Sequence, residues 1–544
     1  MRTAIYRWVR WVMIHSDWGP LRWLYRAAYA AAQHAAVALL RRQPGVVAVY
    51  ARRGMARGSI QPGISDIDMI LIGSQPLAAN PAAYLAYQKL AGYLPILDKN
   101  VLWLGAGFLQ EEYERRATVR YALRDGPSSM KLLWGARAMA RVQPQTNEDA
   151  GPAMIYGLVL CWRVTTRLLL DRDTTAEDPI LATSVAARMA GELARAERRF
   201  LRGEAEVDRI EALAARAAEM DGESRALATE LVAAAASGYR QTVRGAGPRS
   251  VHYMFGETRR LLASLASTEF GMSGRPAEIV VDAPLAELRI DERVQQHLDW
   301  LQEAFHSMCG NAFGGLRAVP SVFHKPPHCT VLVELTGDAP ACKGWPDLIR
   351  QHQNACEDLP APVHLFWNAP EGALPLGHLV RRRRAESFLA PHVHFDSKGA
   401  GGGPHAVTPW LRFAVQEALW IATNRSHLPC PGEWAERHPV RDFWWILQLQ
   451  LLAETLDSSE VWFASTPEAV QRRLKATGRA LPRPLEPLLE ALYLPESAAK
   501  NEVGALLPEA ADFMEQFLSA QAEEFRLVLD TWRGIPSAAA LRAR

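Results

Sequence analysis

The run Ser65-Asp66-Ile67-Asp68-Met69-Ile70-Leu71-Ile72 constrains the fold more than any other stretch of the chain. Its apolar half reads as a buried strand, one that begins inside the Asp66-Ile67-Asp68 triplet. Alternation along an extended chain carries Asp66 and Asp68 to one side and Ile67 and Met69 to the other. Like charges that close are costly unless a cation neutralises them. Paired hard oxygens suit Mg²⁺, whose remaining positions go to waters and substrate phosphates.

What surrounds the pair is equally ordered. Residues 21–42 are rich in alanine and leucine and close on arginines, as an amphipathic helix should. Gly45 to Arg53, GVVAVYARR, reads as a strand, residues 78–93 as a second helix and residues 95–104, PILDKNVLWL, as a third strand. Between the first strand and the aspartates lies Arg52-Arg53-Gly54-Met55-Ala56-Arg57-Gly58-Ser59. It is expected to be a loop whose small residues let backbone N–H groups approach phosphates. Arg52, Arg53 and Arg57 either grip phosphates or sit solvated on a surface turn. Ser65 either hydrogen-bonds an aspartate or closes a turn.

A helix, a strand, a glycine-small loop and then Asp-hydrophobic-Asp on an aliphatic strand resemble the polymerase-β-type nucleotidyltransferase superfamily. The resemblance covers residues 21 to about 105. It departs from the family pattern in the loop. Gly54-Met55 has the family's spacing but a methionine where serine or glycine is usual, whereas Gly58-Ser59 has the right chemistry closer to Asp66. The resemblance implies two-metal transfer of a nucleoside monophosphate from a nucleoside triphosphate to a hydroxyl acceptor, with pyrophosphate released. It implies that Asp66 and Asp68 ligate Mg²⁺, two ions in all. It implies Asp98 as third carboxylate on the hydroxyl side, with Glu111 or Glu112 as substitutes. Gly54, Arg57, Gly58, Ser59 and Ser65 would face the nucleotide. The rival expectation, encouraged by Met55 and by the ordinary turn chemistry around Asp98, is a binding or scaffold protein that keeps the fold without turnover.

The remainder of the chain is less specific. At 544 residues it has room for three or four domains of about 150 residues each. A hydrophobic content of 49% and a charged content of 22% are those of a globular protein. A net charge of +2 gives no global attraction to nucleic acid, which stays possible as a partner but is not indicated. The acceptor could be a small molecule, a protein side chain, an RNA end or another nucleotide. Six scattered cysteines without a C-x-x-C pair argue against a zinc ribbon and a disulfide framework, so a cytoplasmic setting is expected. Charges interrupt the first 45 residues, and Arg163 and Arg167 interrupt residues 154–170, so a core helix and no membrane span is expected.

The expected class is α+β. Residues 1–145 form the nucleotidyltransferase domain with a mixed sheet and helices, 146–275 a helical domain and 276–370 a small α/β module. Residues 371–406 are loop or linker and 407–544 a helical C-terminal domain. Two further clusters stand apart. His392, His394 and Asp396 share one face of a possible strand and could bind a transition metal, as could His324 and His328 with Cys329, although half-buried histidines are the commoner outcome. Arg381 to Arg384 read as a solvated run or a contact for an anionic partner. Trp410, Trp420, Trp444 and Trp445 fall in apolar helical patterns and read as core.

Overall fold

A computed structural model describes residues 2–58, 60–74, 81–94, 96–97, 101–123, 130–143, 178–204, 207–239, 241–266, 275–281, 291–321, 328–335, 345–356, 358–360, 363–367, 404–407, 439–463, 467–488 and 506–518, with residues 153, 157, 161, 413, 415–417, 419, 529 and 533 described singly. The chain divides into two compact units, residues 1–261 with 426–431 and residues 262–425 with 432–544.

The first unit opens with helices α1 (Arg2–His15) and α2 (Gly19–Leu40), the latter started by Pro20 in its first turn. Then come β1 (Val46–Arg52), α3 (Arg53–Arg57), β2 (Met69–Gly73), α4 (Pro81–Tyr93), β3 (Leu102–Gly105), α5 (Leu109–Arg115), α6 (Ala117–Leu123) and β4 (Met130–Gly135). The strands make one mixed sheet in the order β3-β2-β1-β4. β1 is antiparallel to β2 and β4, and β2 is parallel to β3. Every residue of β2 and β3 is buried, as the unbroken aliphatic run requires. Tyr50, Ile70, Ile72, Leu102 and Leu104 share one apolar core with Tyr113, Val119 and Met139. Each such buried aliphatic side chain contributes about 1.5–3 kcal/mol, so whatever is attached to the start of β2 rests on a firm base.

Two expected boundaries shift here. The strand after the aspartates starts at Met69 and not within the triplet. The third strand forms only at Leu102–Gly105, while Leu97 makes a single parallel bridge to Ile67.

Later in this unit come α7 (Pro179–Ala196), α8 (Arg209–Ala218) and α9 (Gly222–Ala236), and α10 (Ala246–Ala266) begins in it and runs across the boundary at Leu261. Asp178 caps α7 by accepting the Ile180 and Leu181 N–H groups at 2.9 and 3.2 Å. A π-helical turn, Glu197–Leu201, prolongs α7. α7, α8 and α9 pack on one another. From Leu181 to Ala196 α7 is buried except at Arg188, which is half-buried.

The second unit holds β5 (Arg275–Val281), α11 (Glu292–Cys309), β6 (Phe313–Ser321), β7 (His328–Leu335), α12 (Trp345–Cys356), β8 (Val363–Trp367), β9 (Pro404–Val407), α13 (Pro439–Thr455), β10 (Glu460–Phe463), α14 (Pro467–Ala476) and α15 (Leu507–Leu518). Its described residues form two three-stranded sheets, β6-β7-β8 and β10-β5-β9. The second sheet corrects the expected division of this region. β5 pairs in parallel with β10, from the stretch expected to be all helix, and antiparallel with β9, from the end of the expected linker. Strands of four residues, such as PHAV and EVWF, are too short to show a period. β6, FGGLRAVPS, was hidden by its glycines and proline.

Trp444 is fully buried, and its indole N–H donates to the Leu488 carbonyl at 3.0 Å, a core role as expected. Trp410, Trp420, the Trp445 side chain, Arg381 to Arg384, His324, His392, His394 and Asp396 lie outside the described residues, as does most of 154–170. Among the described residues no helix is long and apolar enough to cross a membrane.

Candidate functional site at the start of β2

Antiparallel pairing of β1 and β2 runs one residue past β2, because the Arg52 N–H donates to the Asp68 carbonyl at 3.2 Å. The chain between these two residues was expected to be an open loop. Instead residues 53–57 make a short helix, since Met55, Ala56 and Arg57 favour helical backbone. Gly58 stops it in the left-handed region at φ 71°, and its N–H closes onto the Gly54 carbonyl. The Gly58 amide is thereby used within the turn.

A second turn delivers the aspartates. The Gln61 carbonyl accepts from Ile64 and Ser65 N–H at 3.1 and 2.8 Å. Ser65 Oγ accepts the Gln61 N–H at 3.1 Å, so this hydroxyl closes the turn. Tyr29 of α2 is buried beneath it. Its hydroxyl donates to the Ser65 carbonyl at 2.6 Å and accepts the Gly63 N–H at 3.3 Å. Gly63, at φ 76°, lies so close to α1 that a Cβ would stand 2.7 Å from Ile14 Cγ1. Arg10 Nε donates to its carbonyl at 2.7 Å. Two helices thus fix the turn from below.

The helical part of the same unit reaches it as well. Arg188 Nη1 donates to the Ile64 carbonyl at 3.4 Å, across 124 residues of sequence. Tyr239, a buried non-glycine residue at φ 63°, hydrogen-bonds the Gln61 side chain, and burial pushes its phenol up. Neither contact has a local sequence signal.

Ile67 is fully buried, Asp66 is exposed and Asp68 is 5% exposed. Asp68 accepts from Arg52 Nη2 at 3.3 Å and offers both oxygens to Arg53 Nη1 at 3.4 Å. Burial opposes its ionisation, but the charges of Arg53, Arg52 and Arg188 outweigh it and hold the carboxyl below the usual aspartate range. Arg53 is held firmly protonated, chiefly by Asp68. It does this from a left-handed backbone at φ 54°, which costs an arginine about 1–2 kcal/mol. Asp66 goes the other way: desolvation, then the Asp68 charge, push its carboxyl up.

Of the other expected site residues, Gly54 and Arg57 lie in α3, and Asp98 and Ser59 fall outside the described residues. Glu112 does not serve as a substitute carboxylate. It is buried on α5 in an ion pair with Arg116. Glu111 is exposed on the same helix.

The donor set fits a hard divalent cation. Mg²⁺ needs only one or two protein carboxylates. Asp68 supplies an ionised one, and Asp66 one whose charge is disfavoured first by desolvation and then by Asp68, a cost that a shared cation would relieve.

No protein-family model and no curated protein sequence matches the chain. The structure is similar to that of a spectinomycin adenyltransferase from Enterococcus faecialis with ATP and spectinomycin. The TM-score is 0.29 at 14% identity, over 42% of this chain and 99% of that one.

Proposed function

We propose that the chain is a nucleotidyltransferase moving a nucleoside monophosphate from a nucleoside triphosphate to a hydroxyl acceptor. The observation that carries this reading is the Asp66-Ile67-Asp68 pair itself, set at the mouth of a buried central strand with one carboxylate exposed and one held ionised. Asp66 and Asp68 are the residues that would hold Mg²⁺, two ions being expected, with Asp98 as third carboxylate. Bound there, Mg²⁺ supplies charge neutralisation for the triphosphate and acidifies the acceptor hydroxyl.

The chain's own residues do the rest. Arg52 and Arg53 keep Asp68 ionised at neutral pH. Tyr29 and Arg10 hold the turn so that Asp66 keeps its place relative to Asp68, which is the positioning phosphoryl transfer depends on. In this reading Arg57 and Arg188 would bring positive charge towards the phosphates, and Gly54, Gly58, Ser59 and Ser65 would be the residues on the phosphate side.

One observation favours a second reading, a nucleotidyltransferase-fold binding protein without turnover. Arg53 covers both oxygens of Asp68, where a metal would otherwise be held. The test is Mg²⁺-dependent pyrophosphate release from each of the four nucleoside triphosphates, with cell extract as acceptor source. Wild type and Asp66→Ala/Asp68→Ala are run side by side. Release that vanishes in the double variant supports transfer and names the donor. Absent release together with calorimetric nucleotide binding supports the second reading.

A further inference from the structure

In the second unit two buried histidines and a cysteine converge from different helices. His297 comes from α11, His352 and Cys356 from successive turns of α12. His297 Nε2 lies 2.9 Å from His352 Nδ1, and Cys356 Sγ lies 3.7 Å from the same His352 nitrogen. Three potential ligand atoms, one from each residue, fall within 4.8 Å of one another. The histidines are 7% and 6% exposed and Cys356 is half-buried.

We propose that His297, His352 and Cys356 bind a zinc-class divalent cation that clips α11 to α12. The donors are those zinc prefers, two imidazole nitrogens and a thiolate. Bond lengths of about 2.0–2.1 Å to nitrogen and 2.3 Å to sulfur, at tetrahedral angles, place two nitrogens roughly 3.4 Å apart and a nitrogen and sulfur roughly 3.6 Å apart. The His352–Cys356 separation is close to this value, the imidazoles need to part by about half an ångström, and the His297 and Cys356 ligand atoms, within 4.8 Å of each other, need to settle at roughly 3.6 Å. The spacing of four between His352 and Cys356 puts both on one helix face.

The surroundings agree. Trp300 stacks on His297 with ring centroids 5.2 Å apart and fixes that ring's plane. Burial, then the His297 ring, pull His352 down to about 3, so its imidazole is neutral and keeps a lone pair. Burial also lowers His297 and raises the Cys356 thiol, which lies 3.6 Å from the Val363 carbonyl. Metal entry would therefore release the thiol proton to solvent as the sulfur–metal bond forms. Three protein ligands leave a fourth position for water.

The test uses the full chain. Metal analysis of protein purified without chelator should find about one zinc per chain. Cobalt(II) added to chelator-treated protein should give tetrahedral ligand-field bands and a thiolate-to-cobalt charge-transfer band. The thiolate band should disappear in Cys356→Ser, whose near-isosteric side chain keeps the fold, and persist in Cys309→Ser. His297→Gln should weaken cobalt binding at least tenfold. A wild-type spectrum without a thiolate band overturns the proposal, as does a band that survives in Cys356→Ser. Circular dichroism of the metal-free variants separates lost ligation from lost folding, and Asp66→Ala/Asp68→Ala should leave the thiolate band unchanged.

Discussion

Replacing Arg53 separates two forces that meet at Asp68. Arg53→Gly removes one of the two guanidiniums that lie 3.3–3.4 Å from a carboxylate with 5% exposure. Removing the partner of a fully buried pair costs about 3–5 kcal/mol when nothing replaces it. Here Arg52 stays, and the Arg53 side chain is 37% exposed and partly screened by solvent, so the loss should be about 1–3 kcal/mol. Glycine returns about 1 kcal/mol of that, because at φ 54° it carries no left-handed penalty. Arg53→Ala loses the pair and keeps the strain, so it should be less stable than Arg53→Gly by about 1 kcal/mol.

A chain of two units need not unfold in one step, so the readout is amide hydrogen exchange at β1 and β2, with and without Mg²⁺. Mg²⁺ held by Asp68 would replace the missing guanidinium and restore protection in both variants. The pH dependence follows from sign. Asp68 is held below its unfolded value, so its contribution is complete above the usual aspartate range and is lost as pH falls through the lowered folded value. Both variants should shrink that acid-labile part. Equal protection in the Gly and Ala variants, or no response to Mg²⁺ in either, would refute the reasoning.

Three further outcomes can be checked. Asp66→Asn should abolish pyrophosphate release yet raise stability near pH 7 by up to about 1 kcal/mol, the exposed carboxylate being partly screened. The wild-type counterpart is a stability that rises as pH falls through the raised Asp66 value. Tyr29→Phe strands the Gly63 N–H and the Ser65 carbonyl and should cost about 1–3 kcal/mol in amide-exchange protection at β1 and β2, with a lower kcat from the loosened turn. Arg188→Gln should raise the nucleotide KM roughly tenfold or more with a smaller change in kcat, as expected for a charge that mainly binds phosphate.

How much of this was legible depends on whether the signal was local. Asp66 and Asp68 announce themselves because alternation and an apolar run lie in adjacent residues, and α2, β1 and α4 are periodic enough to read directly. At 53–57 the glycines suggest a loop, whereas Met-Ala-Arg between them is enough for one helical turn. Arg188 and Tyr239 reach Ile64 and Gln61 only through packing of distant helices, and no local pattern encodes that. The His297–His352 contact spans 55 residues. Its one local trace is the histidine and cysteine four apart in Trp345-Pro-Asp-Leu-Ile-Arg-Gln-His-Gln-Asn-Ala-Cys, a weak sign on a helix that was itself readable.

Charge at the aspartate pair sets the order in which ligands should bind. Arg52, Arg53 and Arg188 act on Asp68, and Arg53 and Arg188 on Asp66 as well, so three guanidiniums stand against two carboxylates. The site therefore carries a small positive surplus before any cation arrives, and Mg²⁺ alone should bind weakly, in the millimolar range or above. A triphosphate reverses the balance by adding several negative charges, and it gives Arg53 an alternative to the Asp68 oxygens it covers. Mg²⁺ and nucleotide should then bind with positive coupling, each raising the other's affinity by the same factor. Calorimetric titration of Mg²⁺ with and without a non-hydrolysable triphosphate measures that factor, which should be fivefold or more. Arg53→Gly should narrow it by strengthening Mg²⁺ binding to the nucleotide-free protein. Independent binding of the two ligands, or stronger coupling in Arg53→Gly, would mean that Arg53 does not yield Asp68 to a metal, and the binding-only reading would then stand.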